Sequence, residues 1–120
     1  MYDKVLEALE TLGITVGFQE YTGDEDEYII FDIYLEKDSE YYEDKATNEI
    51  IYITISYYHK SKIGIKKYKK IKEAMRKYGF FLESSKTLVK TNEYYGKNFD
   101  FEFKEDIEED EEIWVEQLEE

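Results

Sequence analysis

"EYIIFDIYL", Glu27 to Leu35, decides the fold. Ile29, Phe31, Ile33 and Leu35 fall on one side of an extended chain, and Tyr28, Ile30, Asp32 and Tyr34 on the other. Such two-residue alternation is the pattern of a strand with one face on a core. "EIIYITISYY", Glu49 to Tyr58, repeats it, with Ile51, Ile53, Ile55 and Tyr57 set against Ile50, Tyr52, Thr54, Ser56 and Tyr58. The second face still carries Tyr and Ile, so it is expected to be partly covered or to meet another protein. Between the two strands, "EKDSEYYEDKATN" (Glu36 to Asn48) reads as a polar loop too long for a tight hairpin, with Tyr41 and Tyr42 as its aromatics. Long loops in compact domains are usually functional or unstructured.

Working toward the N-terminus, "VGFQEYTGDEDEYIIF" (Val16 to Phe31) holds a short strand, Ile14 to Phe18, and then an acidic turn around Thr22, Gly23 and Asp24. Tyr2 to Leu12 reads as a helix, since Val5, Leu6, Leu9 and Leu12 make one apolar stripe, and Gly13 suits a left-handed C-cap. Toward the C-terminus, Ile65, Tyr68, Ile71, Met75 and Tyr78 step by three and four. They predict a second helix from Ile63 or Gly64 to Tyr78, capped by Ser61 and closed by Gly79. Phe80 to Glu83 begins a strand, Ser84 to Tyr95 has no clear period, and "NFDFEF" (Asn98 to Phe103) turns Phe99, Phe101 and Phe103 inward. "IWVEQL" (Ile113 to Leu118) reads as one helical turn or a docked strand within an acidic tail expected to be mobile. The order is α-β-β-β-α-β-β. It predicts a single α+β domain over residues 1–104, with an acidic tail at 105–120. The sheet is expected to be mainly antiparallel or mixed, of about five strands, with two helices packed on it.

The 120 residues suit one domain. There is no Cys, hence no disulfide or thiolate chemistry, and no Pro. No apolar run approaches a membrane span, and "MYDKVLEALE" is unlike a secretory signal, so a soluble protein of a reducing compartment is expected. The net charge of −14 disfavours general nucleic-acid binding. It is unevenly placed: nine basic residues and one acid lie between Lys60 and Lys77, whereas Lys104 to Glu120 holds one Lys and ten acids. Such asymmetry favours head-to-tail contacts, between copies or with a partner.

Few residues offer chemistry. Asp24, Glu25, Asp26 and Glu27 are contiguous, and neighbours on an extended segment point opposite ways, so they do not converge on an ion as a calcium loop does. They read as a solvated turn, and no metal site is expected. His59, the sole histidine, is expected at the surface where a strand ends; Ser61 two residues on does not make a triad. The glycines are scattered singly, so no phosphate cradle is present. Neither a catalytic residue nor a cofactor is expected, and the chain reads as a non-enzyme. "KSKIGIKKYKKIKEAMRKYG" is read as a helix docked by its apolar stripe, or as a charged protein–protein surface meeting an acidic partner, a copy of this chain included. Thirteen tyrosines, with pairs in "EYYED" and "EYYGK", suit surfaces that meet other proteins.

Several short motifs, in order, resemble the tail-terminator (tail-completion, head–tail joining) proteins of long-tailed bacteriophages. They are a first helix ending in Leu12-Gly13, the Tyr21-Thr22-Gly23 turn, a strand opening Tyr28-Ile29, the "YYED" stretch, "IIYITISYY", "KKYKKIKEAMRKYGF" and "NFDFEF". The resemblance covers about residues 1–104 and departs at "KTNEYYGKN" and at the acidic tail. It implies a virion structural protein that forms a hexameric ring on the head-proximal end of the tail tube. Such a ring ends tube polymerisation and joins tail to head, with DNA passing through the lumen without specific binding. The implied partners are other copies of the chain, the tail tube protein and a head-completion (neck) protein. The implied location is the host cytoplasm during assembly and the tail–head junction of the virion, with no membrane. Tyr41, Tyr42, Glu43, Asp44, Lys66, Lys67, Lys69 and Lys70 are the expected assembly residues; Asp24, Glu25 and Asp26 are expected to face a neighbour or the channel. The rival expectation is an acidic DNA mimic that inhibits a host DNA-binding protein, which the net charge favours and the basic helix opposes. A standalone adaptor is the third.

Overall fold

Residues 1–107 are described in a computed structural model. Helix α1 (Tyr2–Glu10) leads to strand β1 (Thr15–Phe18), followed by β2 (Glu27–Tyr42) and β3 (Lys45–His59). A 3-10 turn (Lys62–Lys66) opens helix α2 (Lys67–Lys77), and β4 (Phe81–Thr91) and β5 (Tyr94–Asp106) complete the chain. The five strands form one sheet in the order β1-β2-β3-β5-β4. Only β1 and β2 are parallel; the other pairs are antiparallel. The architecture is therefore the expected α+β domain. The expectations for Ile113 to Leu118 and for most of the acidic tail lie outside the described residues.

The predicted alternation builds the core. Ile29 and Phe31 of β2, Ile51, Ile53, Ile55 and Tyr57 of β3, and Phe99 and Phe101 of β5 are all buried on one face. Val5, Ala8 and Leu9 of α1 and Ile71 and Met75 of α2 cover them, joined by Phe80. Each such side chain contributes roughly 1.5–3 kcal/mol of transfer free energy on burial. Gly13 and Gly79 close the two helices with φ of 69° and 93°, the left-handed conformation a C-terminal stop requires.

Three local expectations are corrected. Glu36 to Asn48 is not a loop. The strands run on through it, pairing Lys37 with Ile50, Ser39 with Asn48 and Tyr42 with Lys45. Only Glu43 and Asp44 are left to turn, both with positive φ (51° and 65°), as in a two-residue hairpin of right-handed twist. Most of this extension is solvent-exposed, with Asn48 buried at its base, so its sequence carries no apolar alternation; backbone pairing defines it, helped by the Thr47 hydroxyl donating to the Glu40 carbonyl and by the Lys104–Glu40 pair. The extension makes the domain long, 57 × 28 × 23 Å. Second, a bulge between Ile33 and Leu35 breaks the inward series, and Leu35 is 47% exposed. Third, Ile65 does not join the helix stripe: it lies in the 3-10 turn and is exposed, so the buried stripe of α2 is Ile71, Ala74 and Met75, with Tyr68 and Tyr78 packed beside it. The segment without a clear period, Ser84 to Tyr95, forms most of β4 and the turn into β5. β4 is exposed along nearly its whole length, which is why no period marked it.

Candidate functional site

The edges of the sheet are unlike. β1 covers the outer side of β2 only from Tyr28 to Phe31. From Ile33 to Tyr42, no strand among the described residues pairs with that side. At the far edge, β4, 11 residues long, pairs with β5 on one side, and no strand among the described residues pairs with the other. Tracing the antiparallel pairs across the sheet, β2 and β5 run one way and β3 and β4 the other. A β4 placed beside the free edge of β2 in an equally oriented copy would therefore be antiparallel to it. Unpaired edges are templates for pairing with another chain.

The face away from the helices is aromatic at one end and acidic toward the other. Tyr21 stacks on Tyr28 with centroids 4.3 Å apart, Tyr28 on Tyr58 at 5.1 Å, and Tyr94 meets Tyr28 edge-on. Farther along, Asp32, Thr54, Asp100 and Ser84 form one cross-strand row, and Tyr52, Glu102 and Phe81 the next. Partial burial pushes the Glu83 carboxyl up, and the hydrogen bond to Glu102 and the charges of Glu102 and Asp100 add to it, with Lys37 opposing. Burial, Asp100, Glu83 and Tyr52 likewise raise Tyr34. The raised values mark a crowded negative strip across β2, β3, β5 and β4. Among the described residues no group of three or more acids or histidines is placed to hold a metal ion.

The acidic turn is fixed at the aromatic end. The Tyr21 hydroxyl accepts from the Glu25 amide, and the Tyr94 hydroxyl donates to the Glu25 carbonyl. The Lys60 amide donates to the Asp26 carbonyl, and its ammonium lies 3.7 Å from the Asp26 carboxylate. The side chains of Asp24, Glu25 and Asp26 face solvent. Tyr41, Tyr42, Glu43 and Asp44 are exposed at the tip of the β2–β3 arm, at the other end of the sheet.

The lysines divide. Lys66, Lys69 and Lys70 are exposed, with Lys69 4.0 Å from Glu73 one turn on. Lys67 instead pairs with Glu27, the first residue of β2, whose other oxygen accepts from the Tyr57 hydroxyl at 2.8 Å. Burial opposes the Glu27 charge, but the Lys67 and Tyr57 hydrogen bonds and the charge of Lys67 outweigh it and hold the carboxyl below the ordinary value. Lys67 is thus a fastening between α2 and the sheet. The arm tip lies at the last residues of β2, roughly 50 Å of strand from Glu27. The lysine group and the tyrosine tip are therefore not brought together; they are two separate patches.

His59 corrects a further expectation: it is buried, 1% exposed. Its Nδ1 lies 2.7 Å from the Ser61 carbonyl and its Nε2 2.6 Å from the Tyr68 hydroxyl. A carbonyl only accepts, so Nδ1 carries the proton and Nε2 accepts from Tyr68. Both ring nitrogens are occupied in tying β3 to α2. A Cβ on Gly64 would meet the imidazole at 2.5 Å, so the 3-10 turn passes over the ring only with glycine there. The signal was parity: His59 stands two residues beyond Tyr57, on the inward side of the same strand. Ser61 does cap, accepting from the Ile63 amide, but at the 3-10 turn rather than at α2 itself.

The comparisons add no relative to this geometry: neither a family model nor a curated protein sequence matches the chain.

Proposed function

We propose that the protein caps the head-proximal end of a phage tail tube as a ring, ending tube polymerisation and joining tail to head while DNA passes through the lumen. The observation that carries this reading is the pair of unlike free edges, β4 on one side and β2 from Ile33 to Tyr42 on the other. Two different patches that meet head to tail close into a ring when the rotation allows. Because β1 blocks the near end of β2, the contact is displaced along the strand toward the arm, which sets Tyr41 and Tyr42 against the neighbour. The motif resemblance supports the place of such a ring in a virion. With the helices outside, the face bearing Asp32, Glu83, Asp100 and Glu102 lines the hole, and a negative wall lets a polyanion slide without sticking. The experiment is to add the purified protein to polymerising tail tube protein and image the product. Short tubes with a ring on one end support the reading. Tubes of unchanged length overturn it, as does competition with DNA for a basic host protein, which instead supports a DNA mimic.

A further inference from the structure

The two unlike edges fit one another in a single register. Leu35, Tyr52, Glu102 and Phe81 form one cross-strand row on the face away from the helices. From that row β4 runs back toward the level of Tyr94, whereas the unpaired length of β2, Ile33 to Tyr42, runs mostly the other way. A neighbour of equal orientation is therefore displaced toward the arm. The displacement is an even number of residues, because an odd one sets the helix-side residues of one strand against the outer residues of the other. Four residues drive the end of β4 into the stretch of β2 that β1 occupies as far as Phe31. Eight carry Phe81 past Tyr42 and off the strand. Six residues, roughly 20 Å, remain.

We infer that β4 of one copy pairs antiparallel with β2 of the next in this register, with Phe81 beside Tyr41, Ser84 beside Ser39 and Leu88 beside Leu35, resting on the head-to-tail reading of these edges. Three observations select a second copy as the occupant. The first is apolar surface. Phe81, Tyr41 and Leu35 are 65%, 66% and 47% exposed in the single chain, and the register sets them in cross-strand pairs at the two ends of the contact. The second is charge. Beyond Tyr41 the exposed turn residues Glu43 and Asp44 reach the level of Phe80 and Gly79. There a groove of about 380 Å³, lined by Arg76, Gly79, Phe80, Phe81 and Leu82, opens at the end of α2. Arg76 and Lys77 are exposed, and among the described residues no carboxylate lies within ion-pair distance of either. The third is the fit of the ends. β4 runs out near Ile33, just past the end of β1, so β1 and the neighbour's β4 fill the outer side of β2 in succession. One pair opposes the contact: Lys86 falls beside Lys37.

The chain has no Cys, so introduced thiols report the register directly. Ser39→Cys and Ser84→Cys chains, mixed and treated with a short bismaleimide, are expected to give a covalent dimer that neither gives alone. Ser39→Cys mixed with Lys90→Cys, six residues farther on, is expected to give none. Lys86→Glu, at an exposed position, replaces the like-charge pair by an opposite one and is expected to lower several-fold the concentration at which the oligomer forms. Arg76→Glu with Lys77→Glu is expected to raise that concentration several-fold while circular dichroism stays unchanged. An oligomer that gives no Ser39–Ser84 link, or that links through Lys90→Cys instead, overturns this register and leaves the ring standing. Assembly weakened by Lys86→Glu also overturns it. A single-chain mass at every concentration, alone and beside tail tube protein, overturns the ring and this contact together.

Discussion

The Tyr68 hydroxyl donates to His59 Nε2 at 2.6 Å, and that contact joins the last residue of β3 to the first turn of α2. The same imidazole is held from its other nitrogen by the Ser61 carbonyl. The basic helix is thus placed by a buried polar tie as well as by its Ile71 and Met75 anchors.

Tyr68→Phe keeps the ring that packs on Tyr57 and Phe99 and removes only the hydroxyl, leaving a buried imidazole nitrogen without its donor. The expected loss is about 1–3 kcal/mol of unfolding free energy by denaturant titration. Nitrogen chemical shifts of His59 should report the Nδ1–H tautomer in the unaltered protein. An Nε2–H tautomer would contradict the assignment.

The pH dependence of stability follows from Glu27. Its folded-state carboxyl titrates below the ordinary 4.5, so its contribution is fully present above that value and is lost as pH falls through the lower folded value. Unfolding free energy should therefore decline below about pH 4.5, and Glu27→Gln should remove part of that decline. At neutral pH, Glu27→Gln should cost roughly 1–2 kcal/mol, because the site is partly solvated and Lys67 loses its partner. An unchanged acid profile would contradict the assignment of Glu27.

The arm's turn is not optimised. Glu43 and Asp44 both occupy the left-handed region, where Glu is strained and Asp, though tolerated, is less favoured than Gly. Glu43→Asn with Asp44→Gly should stabilise the hairpin by about 1 kcal/mol, read as a raised melting temperature. A lowered melting temperature would mean that the turn has another geometry.

Lys66, Lys69 and Lys70 can be reversed to Glu without touching the Lys67–Glu27 pair. Exposed substitutions of this kind typically change stability by less than about 0.5 kcal/mol each. If α2 meets an acidic neighbour, the triple variant should remain folded and lose oligomer mass. Unchanged oligomer mass would remove α2 from the interface.

Most of the core was legible because burial imposes a period. Ile51 to Tyr57 and Phe99 to Phe101 alternate in the sequence and in the structure alike. The arm was not, because a strand with mostly solvated faces has no reason to alternate; its pairing lies in the backbone, in the contacts of Glu40 with Thr47 and Lys104, and in a two-residue turn without glycine. β4 escaped for the same reason. His59 was misplaced by ending its strand one residue early, and Lys67 was grouped with its neighbours because charge alone does not show which lysine finds a carboxylate from a distant strand. The two free edges, the main feature of the candidate surface, follow from strand order, which no local pattern encodes.

The central claim is that copies join head to tail through the β4 edge and the free edge of β2. The particle mass of the purified chain, measured by mass photometry alone and beside tail tube protein, tests it most directly. A closed oligomer, expected as a hexamer, is the predicted result. A single-chain mass under both conditions would contradict the account.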